Sequence, residues 1–194
     1  MFNQLMTGLR LAVALTVLTG LAYPGVVTGL CQVLFPRQAS GSLVMKDGRV
    51  IGSALVGQGF SRAEYFHPRP SAAGAEGYDA TASGGSNLGP TTKALAQRVQ
   101  ASVAEVRKEN PGFSGAAPAD LVTTSGSGLD PHISPEAAGV QVARVAAARR
   151  VDAVRVAALV AEFTEARDLG FLGEPRVNVM LLNMALDRAC PLPE

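Results

Sequence analysis

Hydrophobic and polar positions divide the chain into three zones. In the first, Leu11 to Phe35 reads LAVALTVLTGLAYPGVVTGLCQVLF, with no charged residue between Arg10 and Arg37. About 25 residues at about 1.5 Å rise each reach beyond the roughly 30 Å hydrocarbon core of a bilayer. Backbone amides in lipid must be paired internally, so a lone span of this kind has to be a helix. Tyr23 and Pro24 lie inside it, and the proline predicts a kink. The pattern therefore predicts a short tail over 1–10, a transmembrane helix over 11–35 and a linker over 36–41 (PRQASG).

The second zone opens with a hairpin signal. Ser42–Met45 and Val50–Val56 flank Lys46-Asp47-Gly48, and Asp-Gly between apolar runs favours a tight turn because glycine accepts positive φ. Residues 60–91 (FSRAEYFHPRPSAAGAEGYDATASGGSNLGPT) then show no sustained period and are dense in Gly, Pro, Ser and Ala. A structureless stretch of that length inside a compact domain is uncommon unless functional or disordered. Tyr65, Phe66 and Tyr78 imply that this one is packed down.

The third zone is helical. Leu95, Val99, Val103 and Val106 recur at helical spacing until Asn110-Pro111-Gly112 stops them. A polar loop, Thr123–Ile133 (TTSGSGLDPHI), leads to Ser134-Pro135-Glu136, a helix start with serine as cap and proline in the first turn. That helix places Gln141 and Arg144 on one face. Asp152 caps the next, whose buried stripe is Val156, Leu159, Val160 and Phe163. The last helix, expected from about Arg176 to Ala189, is apolar nearly all round and therefore buried. The expected fold is an α/β (or α+β) soluble domain over 42–194, with an early β-hairpin and several helices, preceded by one N-terminal transmembrane helix.

Composition changes this picture in a few places. A cleaved signal peptide would have a shorter apolar core and an A-x-A-like site after it; neither is present. A lipoprotein site at Cys31 is opposed by the bulky Leu30. The chain holds 17 Lys and Arg against 16 Asp and Glu. With Arg10 assigned to the anchor the remainder is neutral, which argues against nucleic acid or anionic lipid as its partner. Cys31 and Cys190 fall in the membrane segment and near the chain end, with no metal-ligand spacing. Absent tryptophan and 5% aromatics argue against a carbohydrate platform. Charges flanking the span do not set its orientation; a short tail before a long apolar segment is the habit of signal anchors, which leave the bulk of the chain outside.

Three constellations carry candidate chemistry. Ser83-Gly84-Gly85-Ser86-Asn87-Leu88-Gly89-Pro90 precedes a helix, where converging amides and the helix dipole favour an anion. It lacks the Gly-Lys-Ser/Thr ending of a phosphate-binding P-loop, and the alternative is a loop whose Asn and Ser satisfy their own backbone. Ser125-Gly126-Ser127-Gly128-Leu129-Asp130-Pro131-His132 places serine, aspartate and histidine close together, which raises a membrane-tethered hydrolase using Ser127 and His132. A working triad usually draws its members from separated segments, so a loop turned by Asp130 with His132 as a contact residue is the competing reading. In the anchor, Gly25 and Gly29 form a G-x-x-x-G pair, and Ala12, Thr16 and Gly20 make a stripe of small residues at four-residue spacing. Such stripes admit another membrane helix, although glycine is common in membrane helices.

The loops also carry a family resemblance. Arg69-Pro70-Ser71, the run Ser83–Pro90, the run Asp120–Pro135 (DLVTTSGSGLDPHISP) and Gly173–Val179 (GEPRVNV) resemble the C subunit of the Kdp-type potassium-transporting ATPase of bacteria. The likeness extends from the anchor to about Asp187. It departs at Thr91-Thr92-Lys93, where the family usually continues Gly-Pro-(Ser/Thr)-Asn-Pro. The resemblance implies an accessory, non-catalytic subunit of a high-affinity, ATP-driven potassium uptake pump, described in the family as a catalytic chaperone that raises the pump subunit's affinity for ATP. It implies a channel-like potassium-binding subunit, a P-type ATPase subunit and a small single-helix subunit as partners, with ATP and potassium handled by the complex and no cofactor or metal held by this chain. It also implies a single-pass protein of the bacterial inner membrane with its bulk periplasmic. A domain beyond the membrane cannot touch cytoplasmic ATP. The expected contacts are therefore with partner subunits near the potassium entrance, through Gly25, Gly29, Ser83, Gly84, Gly85, Ser86, Asn87, Ser125, Ser127, Asp130, His132, Gln141 and Arg144, and any effect on ATP is indirect.

Overall fold

The computed structural model describes residues 1–192, and the chain falls into two compact units, Met1–Ser53 and Ala54 onward. The first unit is the anchor with its hairpin. Helix α1 (Phe2–Val17) passes through a wide π turn (Leu18–Ala22) into α2 (Tyr23–Leu34), giving one apolar helical run over Phe2–Leu34, long enough to cross a membrane. Helix already occupies most of the stretch expected as a tail, because Phe2, Leu5, Met6 and Leu9 prolong the apolar run on the near side of Arg10. The wide turn has an identifiable cause. Pro24 has no N–H to donate and crowds the turn before it, and the neighbouring Tyr23 N–H bonds five residues back to Leu18 O. The ladder is thus locally widened, as is frequent beside such interruptions.

A single helical turn, α3 (Pro36–Ala39), leads to strands β1 (Leu43–Lys46) and β2 (Arg49–Ser53), joined through Asp47-Gly48. Both turn residues have positive φ, 51° and 75°, the geometry a two-residue hairpin turn demands. Ser53 Oγ donates to Gly41 O at 2.7 Å and closes the base.

In the second unit, residues 54–92 contain no helix or strand. Helix α4 (Lys93–Glu109) begins where Thr92 Oγ1 accepts from Leu95 N–H, so the departing Thr91-Thr92-Lys93 run supplies its own cap. A short turn α5 (Ala119–Val122) and strand β3 (His132–Ile133) precede α6 (Pro135–Arg149), then α7 (Ala153–Glu162), capped as expected by Ser134 and Asp152. Strand β4 (Thr164–Glu165), strand β5 (Arg176–Asn178) and helix α8 (Val179–Ala189) complete the fold. The sheet is antiparallel in the order β3-β5-β4.

Residues 176–178 were expected to be helical and are strand instead. Val177 sits at the centre of the sheet, paired with Ile133 on one side and Thr164 on the other, a place suited to a β-branched side chain. Asn178 then starts the helix by accepting from Leu181 N–H at 3.1 Å. The core joins Phe66, Ile133, Val145, Val156, Val177, Leu182 and Leu186, all buried. Phe66 belongs to the irregular stretch, so that stretch is part of the core. It is not a peripheral loop.

Candidate functional site

Two neighbouring clusters hold the irregular segment, and a cavity of about 340 Å³ has residues of both on its wall, including Gln141 and His67 from one and Arg69, Ser71 and Tyr78 from the other.

The first cluster is built from helix side chains. The Asn183 amide on α8 pairs with both backbone groups of Phe66, accepting from its N–H at 2.8 Å and donating to its carbonyl at 3.0 Å. The Gln141 amide on α6 does the same for His67, at 2.7 and 3.0 Å. Two buried amides thus replace the strands that would otherwise pair this backbone, which matters because buried N–H and C=O groups are costly when unpaired. Arg144 donates to Gln141 Oε1 at 2.6 Å, to the carbonyls of Ala63 and Tyr65 at 2.6 and 2.9 Å, and to Asn110 Oδ1 at 3.2 Å. Burial lowers its pKa, against the opposing charge of Glu109.

Arg149, only 2% exposed, donates to Glu64 O at 2.8 Å and Cys190 O at 2.7 Å and pairs with Asp187 at 2.8 Å. Its guanidinium lies 4.9 Å from the centre of the Tyr65 ring. It therefore ties the irregular segment to the carbonyl end of α8, where a cation is electrostatically favoured.

The second cluster is built from the glycine- and serine-rich loops. Ser71 Oγ donates to Gly128 O at 2.6 Å and accepts from Tyr78 N–H at 2.8 Å. Gly84 N–H donates to Ser127 O at 2.9 Å, Ser83 Oγ donates to the same carbonyl at 3.1 Å, and Gly57 N–H donates to Leu129 O at 2.8 Å. Gly128 has φ +68°, and a Cβ there would lie 2.7 Å from Gly84 O and 2.8 Å from Ala73 N, so only glycine fits.

Asp130 is the electrostatic hub. It pairs with Arg69 at 3.0 Å, accepts from His132 N–H at 3.0 Å and lies 3.3 Å from the His132 ring. Burial pushes its carboxyl up, but His132 (ring and backbone N–H) and Arg69 outweigh this and hold it below the usual carboxylate range. Tyr78 donates its hydroxyl to Arg69 O at 2.6 Å, and burial followed by the Asp130 charge raises that hydroxyl's pKa despite Arg69.

These contacts decide between the sequence alternatives. The Gly84 amide is spent on Ser127 O, so the first loop is a structural partner of the second and does not present that amide to an anion. Ser127 Oγ accepts from Leu129 N–H and lies 3.5 Å from Ser125 Oγ. Among the described residues it has no hydrogen bond to His132, whose ring faces Asp130, so nothing supports the hydrolase. Asn87 is exposed at φ +51°, Ser86 is half-buried, and Ser83, Gly126 and Ser127 reach the surface. Gly25 and Gly29 lie in α2, where an added Cβ would meet nothing within 4 Å at either; the chain's own packing does not require them.

Neither Arg149 nor Asn183 carries a local sequence signal. Arg149-Arg150 resembles an ordinary basic helix end, and only the fold buries the first while leaving the second exposed in the left-handed region.

The family model for the K+-transporting ATPase c chain, KdpC, matches residues 5–188. Curated proteins named potassium-transporting ATPase KdpC subunit are similar over essentially the whole chain. That of Myxococcus xanthus is 61% identical over 197 residues, covering 100% of this chain and 92% of the relative. That of Rhodospirillum rubrum is 59% identical over 192 residues, covering 99% of both. The chain belongs to the KdpC family.

Proposed function

We propose that this chain is the accessory subunit of an ATP-driven potassium uptake pump, anchored by its N-terminal helix with residues 42–194 on the periplasmic side of the inner membrane. The match to the K+-transporting ATPase c chain over residues 5–188 carries this reading. The chain is a non-catalytic member of the assembly. Its partners are the channel-like potassium-binding subunit, the P-type ATPase subunit and the small single-helix subunit. Gly25 and Gly29 offer a close-approach face to a membrane helix. The surface of the interlocked loops, with Ser83, Asn87, Gly126 and Ser127, meets a partner beside the potassium entrance, while Ser125, Asp130 and His132 hold that surface in shape and Gln141 and Arg144 fix the adjoining residues 63–67 beneath it. Potassium and ATP are handled by the other subunits. Any effect on ATP use passes through the assembly as coupling between sites, whose usual size is about 1–3 kcal/mol.

Asn87→Gly keeps the left-handed backbone while removing the side chain, and Gly126→Lys adds bulk where a Cβ meets nothing within 4 Å. In the purified pump, the double variant is expected to raise the potassium concentration for half-maximal ATPase by about fivefold or more, the lower end of such coupling. An unchanged potassium dependence in a complex that retains the variant chain would overturn the loop-contact role.

A further inference from the structure

The hairpin joining β4 to β5 ends in an apolar tip that the fold does not use. Leu169 is 83% exposed, Phe171 68% and Leu172 49%. Leu169 and Gly170 form the turn with φ of 53° and 83°, so a bulky leucine is held in the left-handed region that it normally avoids. Asn or Gly would form this turn with less strain. A leucine both strained and exposed contributes nothing to the domain's own core.

The stalk is firm. Asp168 N–H donates to Leu172 O at 2.9 Å, with the reciprocal bond also at 2.9 Å. Arg167 pairs with Glu174 at 2.5 Å, and Arg176 pairs with Glu165 at 2.9 Å and Asp168 at 3.4 Å. The tip is thus presented in one conformation, which lowers the entropic cost of docking.

Charge and area narrow the occupant. The stalk carries three carboxylates and two guanidiniums, an acidic excess that opposes both an anionic bilayer surface and the same tip of a second copy. Three side chains cover a few hundred Å² at most, well short of the roughly 800 Å² per partner of a stable two-body interface. Such an anchor suffices only where a second attachment already holds the two molecules together, so that the tip binds at high effective concentration. The membrane helix is that attachment.

We propose that Leu169, Phe171 and Leu172 form a hydrophobic plug that docks into an apolar pocket with a neutral-to-basic rim on the extramembrane surface of a membrane subunit of the same pump. This docking presupposes the pump assembly proposed above. The test uses the full chain co-expressed with its neighbouring ATPase subunits and purified through one of them. Phe171→Asp is expected to reduce the retained chain by about tenfold or more after a stringent wash, the behaviour of an interface hot spot. Leu169→Asn is expected to weaken retention while raising, or leaving unchanged, the thermal stability of the free chain, because it relieves the strained turn; a merely structural residue would lower both.

The wild-type chain has no tryptophan, so Phe171→Trp in the isolated full chain reports on the tip alone. Its emission is expected to stay solvent-like in phosphatidylglycerol vesicles. A blue shift there would replace the protein pocket with lipid. A detergent-solubilised dimer lost in Phe171→Asp would replace it with a second copy. Normal retention of both substituted chains would overturn the plug while leaving the pump reading intact, whereas failure of the wild-type chain to co-purify would overturn both.

Discussion

Residues 64–67 and residues 69–87 follow one another, lack regular structure and are fixed by opposite means. The first stretch is held from outside by long side chains: Asn183 and Gln141 pair with consecutive backbone units, and Arg144 and Arg149 collect the carbonyls of Ala63, Glu64 and Tyr65 and the end of α8. The second stretch is held by small groups within the loops themselves: the Ser71 and Ser83 hydroxyls and the Gly84 amide bond directly to the facing backbone, and Gly128 allows the approach. The helix-borne clamp concentrates its bonds in a few large residues. The interlocked loops spread theirs over many small ones and leave polar surface facing outward. One arrangement fixes the core, and the other presents a shaped exterior.

That contrast predicts an ordering of substitutions. Arg149→Met removes a fully buried cation from Asp187 and orphans several carbonyls; it is expected to lower stability by about 3–5 kcal/mol, read as a reduced urea midpoint of the full chain in detergent. Gly128→Ala forces a Cβ against Gly84 O and Ala73 at positive φ, with an expected loss of about 1–3 kcal/mol. Hydrogen exchange would locate that loss in the loops and leave α6 and α8 protected. If Gly128→Ala instead melts the helices, the two regions are one cooperative unit and the contrast fails.

The smallest effect is electrostatic. Asp130 has a folded pKa below its unfolded value, so its contribution is present above about pH 4 and fades as pH falls through the folded value. The pair with Arg69 is partly solvated, so Asp130→Asn is expected to cost about 1 kcal/mol or less at pH 7 and to flatten the acid side of the stability profile. An unchanged acid limb in Asp130→Asn would assign the acid sensitivity elsewhere.

Much of this was legible in the residues. Helical periods, with Ser134 and Asp152 as caps and Asp47-Gly48 as turn, are local signals, and they give elements where expected. The run from Asp120 to Pro135 was distinctive enough to identify the family, which residues 5–188 then match. What was hidden depends on distant partners. Val177 becomes a strand residue because Ile133 and Thr164 flank it, 44 and 13 positions away in the numbering of the paired residues. Arg149 is buried because the end of α8 and residue 64 converge on it. Gln141 and Arg144 could be placed on one face by spacing, but not the backbone they clamp.

The wide turn ahead of Pro24 has a geometric effect on the rest of the anchor. In an uninterrupted α-helix, five residues advance the phase by about 140° beyond a full turn, so Gly25 would point well away from Gly20. A π turn absorbs one extra residue. Gly25 and Gly29 are thereby brought back into step with Ala12, Thr16 and Gly20, and two short rows of small side chains become a single smooth track along one flank.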